Sequence, residues 1–164
     1  MKIRTDFVTN SSSSSFVVLT AVPKGKLKQL KKKYEKKLGY GKKGIDEAFE
    51  TIFQRKASSK DTDFMDNVSC CMEDKIKCPA CKKDCNIGDD FKCSNCNHVF
   101  TNNEIIESLY KIYKVSKKTH EIWFGIGIEA STEDLEIDRM ALKLLPLLEK
   151  KDVKILYEYC DGGF

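Results

Sequence analysis

The stretch that most constrains this chain is Cys78-Pro79-Ala80-Cys81 followed by Cys93-Ser94-Asn95-Cys96, two C-x-x-C hooks separated by eleven residues. Each hook turns the backbone so that both of its thiols face one tetrahedral ion, and two hooks at close range complete the shell. The spacing predicts a metal site with Cys78, Cys81, Cys93 and Cys96 as ligands. Zn2+ in a structural role is the expected occupant, because four thiolates leave no position for water or substrate. Cys85 lies four residues after Cys81 and His98 two after Cys96, so either is an alternative ligand, although both hooks are complete without them. An iron–sulfur cluster is the competing reading of four cysteines.

Neighbouring residues sharpen the pattern. Pro79 stands inside the first hook, and Asn97 follows the second, where a left-handed backbone is expected and Asn is the best substitute for Gly. Phe91 and Phe100 flank the second hook and are expected to cover the site, while Asn86-Ile87-Gly88-Asp89-Asp90 supplies turn residues. From Ile76 to Thr101 this resembles a zinc ribbon, which implies zinc in preference to an iron–sulfur cluster. A segment of about twenty-five residues cannot bury a core of its own, so the metal is expected to fold it. Structural zinc contributes about 10–16 kcal/mol in such peptides.

The remaining chain reads as one α/β domain, with α+β as the alternative class: residues 1–76 plus 101–164, interrupted by the metal insert at 77–100. Phe16 to Val22 is a short, β-branched, uniformly apolar run, which predicts a strand buried on both faces. Helical spacing of Leu27, Leu30, Tyr34 and Leu38 predicts a helix over 24–38, and Ile45, Ala48, Phe49, Ile52 and Phe53 predict a second over 45–57. Phe64, Met65, Val68, Cys71 and Met72 suggest a third. Thr101 with Glu104 forms a capping box that opens a helix to about Ser116. Glu121 to Glu129 alternates, with Ile122, Phe124, Ile126 and Ile128 on one face and Trp123, Gly125 and Gly127 on the other. A helix with Leu135, Met140, Leu144 and Leu148 inward and a kink expected at Pro146 leads to a last strand, Val153 to Tyr159. Strand, helix, strand predicts a right-handed crossover between parallel strands.

The 164 residues carry a net charge of +4, unevenly spread. Residues 24–43 hold ten lysines against Glu35, a charge of +9, which leaves the rest at −5. Lys28, Lys31, Lys32, Lys33, Lys36 and Lys37 are therefore candidate contacts to nucleic acid, though lysine without arginine argues against base-specific readout. A solvated helix face is the plainer reading. No apolar run has membrane-spanning length and no secretory leader is visible, so a cytoplasmic location is expected. In that compartment Cys70, Cys71, Cys85 and Cys160 read as buried thiols rather than disulfides.

Met1 to Phe16, MKIRTDFVTNSSSSSF, resembles an N-terminal signature on otherwise different small Firmicutes proteins, which implies lineage and a shared handling step rather than an activity. Gly162-Gly163 resembles the di-glycine tail of ubiquitin-like modifiers, but Phe164 follows it. No dinucleotide, Walker or nucleophile-elbow motif is present. His120 and Cys160 form the one conceivable catalytic dyad, and the strand order expected puts them at opposite sheet ends. A non-enzymatic zinc-binding module that contacts a protein or nucleic acid is the leading expectation. An enzyme or accessory factor with a pocket beside Gly125 and Gly127, and a substrate protein processed at its serine run, are the alternatives.

Overall fold

A computed structural model describes residues 15–38, 42–61, 68, 76–87, 90–128, 132–149 and 152–161. In chain order the elements are β1 (Ser15–Pro23), α1 (Leu27–Leu38), α2 (Lys42–Ile52), β2 (Arg55–Lys56), β3 (Ile76–Lys77), β4 (Asp84–Cys85), α3 (Asn102–Ile112), β5 (His120–Ile128), α4 (Thr132–Glu149) and β6 (Lys154–Asp161). Four strands make one antiparallel sheet in the order β2-β5-β1-β6, and β3 pairs with β4 in a separate hairpin. The chain is thus a small mixed α/β fold. Ser11–Ser14, the third apolar stripe apart from Val68, and Gly162-Gly163 lie outside the described residues.

β1 is central because its sequence suits nothing else. Val17, Val18, Leu19, Thr20, Ala21 and Val22 are all buried. Side chains alternate across a strand, so Val17 and Leu19 face α3 and the metal insert, while Val18 and Val22 face α1, α2 and α4. Helices or the insert therefore cover both sheet faces, as a two-sided apolar strand requires.

The last two strands run parallel, as expected, with a third strand between them. β5 and β6 run in the same direction, but they are not neighbours: each pairs antiparallel with β1, which lies between them. The uniformly apolar strand takes the centre, and β6, with Lys154 and Glu158 exposed, takes an edge. A bulge in β6 leaves Leu156 without a partner between the pairs Leu19–Tyr157 and Thr20–Ile155. Leu156 and Tyr157 thereby both pack toward the metal insert, while Ile155 packs toward the opposite core.

The second helix also ends earlier than its periodicity suggests. α2 stops at Ile52, and Arg55–Lys56 become β2, pairing with Phe124 and Trp123 on the flank of β5. The Ala57 N–H extends this by donating to the Ile122 carbonyl at 2.9 Å. Ladder hydrogen bonds on β5 thus outcompete one more turn of helix. Gly125 explains how α2 can end there. A Cβ at that position would lie 2.3 Å from the carbonyl oxygens of Thr51 and Ile52, so the strand glycine admits the helix end. The space a pocket would need at Gly125 is filled by backbone.

Candidate metal centre

The insert is built from two near-identical backbone knuckles. In the first, the Lys82 N–H donates to the Cys78 carbonyl at 3.0 Å and the Cys78 N–H to the Lys83 carbonyl at 2.9 Å. In the second, the Asn97 N–H donates to the Cys93 carbonyl at 2.9 Å and the Cys93 N–H to the His98 carbonyl at 2.9 Å. Both turns need a left-handed residue just after the hook. Asn97 has φ 61° as its sequence position implies, and Lys82 also has φ 61°. Lys82 was not legible as a turn residue from its type, since lysine gains no local side-chain bond there; only its position, the mirror of Asn97, gives it away.

The knuckles bring the four hook sulfurs together. All four lie within 4.8 Å of one another, with Cys78 Sγ 3.7 Å from Cys96 Sγ and Cys81 Sγ 3.8 Å from Cys93 Sγ. A regular tetrahedron of sulfurs about 2.3 Å from one ion has edges of about 3.8 Å. The 3.7 and 3.8 Å contacts between hooks match that figure and far exceed a disulfide bond. The four residues present fit a single tetrahedral metal ion.

Burial grades across the site. Cys78 and Cys93 are buried, Cys81 is half-buried and Cys96 is exposed. The thiols do not ionise alike. Desolvation opposes the Cys93 thiolate, but the N–H groups of Asn95 and Cys96 aimed at its sulfur prevail and bring it down to about 6; the Asn95 contact is 3.4 Å. At Cys96 the His98 N–H favours the thiolate, yet desolvation and the sulfurs of Cys81, Cys78 and Cys93 push it up to about 12. One thiolate forms readily, and a second is opposed by its neighbours, which is the electrostatic situation a bound cation relieves.

The two alternative ligands have other work. Cys85 is buried, and burial first, then a hydrogen bond given to Cys93, pushes its thiol up to about 12. Its sulfur lies outside the group formed by the four hook sulfurs. The His98 ring meets the Glu104 carboxylate at 3.1 and 3.3 Å through Nε2 and packs edge-on against Phe100 with centroids 5.4 Å apart. Glu104 completes the capping box, accepting from the Thr101 N–H at 2.8 Å while its own N–H donates to Thr101 Oγ1 at 3.3 Å. The Thr101 N–H, and then His98, hold the Glu104 carboxyl below its ordinary range against desolvation. The sequence signals the box but not the second use of Glu104, which ties the insert to α3.

Phe100 and half-buried Phe91 belong to the same apolar cluster as Cys78, Cys85 and Cys93. That cluster continues without a break into Val17, Leu19, Ile122 and Phe124 of the sheet and Ile105, Ile106 and Leu109 of α3. The insert is packed onto the sheet rather than held away from it.

The candidate lysines of α1 divide in two. Lys31 pairs with Asp46 at 2.7 Å and Lys33 with Asp152 at 2.6 Å, while Lys33 and Lys37 also lie 5.5 and 5.8 Å from the Tyr34 ring centre. Tyr34 itself is buried and donates to the Leu147 carbonyl and Asp152, both at 2.9 Å. Lys28, Lys32 and Lys36 are exposed, repeat every four residues, and pair with no acid among the described residues. His120 and Cys160 stand opposite Pro23 and Phe16 in the ladder, so their backbones are about 20 Å apart along β1. They form no dyad.

No described helix is long and apolar enough to cross a membrane. Fold and site together define a small mixed α/β protein whose four hook cysteines are positioned to hold a metal ion. Comparison with models of known families, with characterised proteins and with solved structures finds no match for this chain.

Proposed function

We propose that this chain is a non-enzymatic binding module of the cytoplasm in which Cys78, Cys81, Cys93 and Cys96 hold one structural Zn2+. The observation that carries the reading is the cluster of four hook sulfurs within 4.8 Å of one another, continuous with the core behind β1. Closely spaced sulfurs favour a single ion over an iron–sulfur cluster, whose ligating sulfurs stand farther apart around several irons. Residues 77–100 then form a metal-dependent insert in a domain made of 1–76 and 101–164. A closed shell gives the ion no open position for chemistry, so its role is to hold a surface in shape. The ribbon and α1 are the contact surfaces, for a protein or a nucleic acid.

Differential capture from an extract of the native host tests this reading. The zinc-loaded chain should retain a protein or nucleic acid that both the C93S variant and the K28Q/K32Q/K36Q variant release. Retention by both variants at the parent's level, or no retention by the parent, contradicts it.

A further inference from the structure

The basic surface does not end with α1. β1 leaves the sheet where β5 and β6 enter it, so three turns distant in sequence meet at one sheet end. The Lys24 N–H donates to the Thr119 carbonyl at 3.0 Å, joining the β1–α1 turn to the turn before β5. Lys154 Nζ, at the start of β6, donates to the Tyr113 carbonyl at 2.9 Å, joining β6 to the end of α3. Lys24, Lys26, Lys28, Lys114, Lys118 and Lys154 are all exposed along this junction. Of the described acids nearby, Glu107 is engaged by Lys117, Glu121 by Lys56, and Asp152 by Lys33 and Tyr34, while half-buried Glu35 is the one acid on α1 beside Lys32 and Lys36. None of these six lysines pairs with an acid among the described residues.

We infer that this junction and the outer stripe of α1 form one basic band that binds the phosphate backbone of a nucleic-acid duplex without reading sequence. The inference rests on the binding-module reading above and names its partner. Three features select a duplex backbone. The cations are lysines, which act as point charges and lack the fork that reads guanine or grips one phosphate from two sides. Val99 of the insert is the one exposed large apolar residue among those described, so the described part of the band offers no aromatic platform for unpaired bases and no apolar wedge for a lipid surface. The positive charges come from hydrogen-bonded turns and a helix rather than a tail, which suits a stiff rod of regularly spaced phosphates.

The test is fluorescence anisotropy of a labelled 20-base-pair DNA of arbitrary sequence with the zinc-loaded full chain, from low to physiological salt. Two variants are compared, K24Q/K114Q/K118Q at the sheet end and K28Q/K32Q/K36Q on α1, with thermal melts to verify folding. Each variant should weaken binding at least tenfold at low salt, and each should flatten the log–log salt slope by about 2–3, near 0.9 for each phosphate contact removed. A second duplex of unrelated sequence should bind within threefold of the first. Parental affinity in the sheet-end variant overturns the band, even if the α1 variant is weakened. Absence of duplex binding by the parent at low salt, or tighter binding to vesicles of phosphatidylserine and phosphatidylcholine than to DNA, also overturns it. Either of those results leaves the binding-module reading intact if differential capture still yields a zinc-dependent protein partner.

Discussion

Thr20 sits fully buried in the central strand, and its hydroxyl has no hydrogen-bond partner among the described residues. A buried unsatisfied hydroxyl is a standing cost, whereas valine has the same branched shape and favours a strand equally. T20V should therefore stabilise the protein by about 1 kcal/mol in denaturant unfolding, and a loss of stability would mean the hydroxyl does have a partner. Thr101 is the opposite case. T101A removes the cap of α3 and should cost about 1 kcal/mol. Glu104 adds a pH signature. Its folded carboxyl titrates below the unfolded one, so its contribution is complete above the unfolded value and fades as pH falls through the lower folded value. Stability should thus drop on acidification below about pH 4.3 more steeply in the parent than in E104Q. Equal acid limbs would show that Glu104 does not tie His98 and the helix cap together.

Strands and helices were legible in this chain wherever one residue pattern decided the outcome. The run from Val17 to Val22 announced a strand buried on both faces, and it is buried throughout. The alternation from Ile122 to Ile126 gave the correct inward face of β5. Where two demands competed, pattern alone failed. Helical periodicity continues past Ile52, but the flank of β5 claims Arg55 and Lys56. Strand order was likewise beyond local reading, because β5-α4-β6 has the same pattern whether or not β1 lies between its strands. Gly125 is where helix and strand meet. G125A would force a methyl to 2.3 Å from two carbonyl oxygens of α2, so the helix end must lift off the sheet. The expected cost is at least about 2 kcal/mol, as for an overpacked core site; a substitution that leaves the unfolding midpoint unchanged would contradict that packing.

The two cores make the molecule cooperative in an unusual way. One lies between the sheet and α1, α2 and α4, and needs no metal. The other includes Cys78, Cys85 and Cys93 together with the opposite side chains of β1 and β5. Chelation should therefore do more than loosen residues 77–100. The melting temperature of the metal-free chain should fall by at least about 10 °C, and methyl NMR signals of Val17, Leu19 and Ile122 should shift while those of Val18, Leu144 and Leu145 change less. A ribbon folding by itself would leave both sets unmoved. The site was the most legible part of the chain, since hook spacing alone named the four cysteines that the fold gathers. The sequence left Cys85 and His98 open because both are close in number, and only the fold leaves Cys85 outside the four-sulfur group and sets the His98 ring against Glu104. Native mass spectrometry of the purified chain bears most directly on this account. One zinc per chain is expected, kept in C85S and in H98A and lost in C93S. A chain without metal, a mass matching an iron–sulfur cluster, or loss of the ion in C85S or H98A would contradict it.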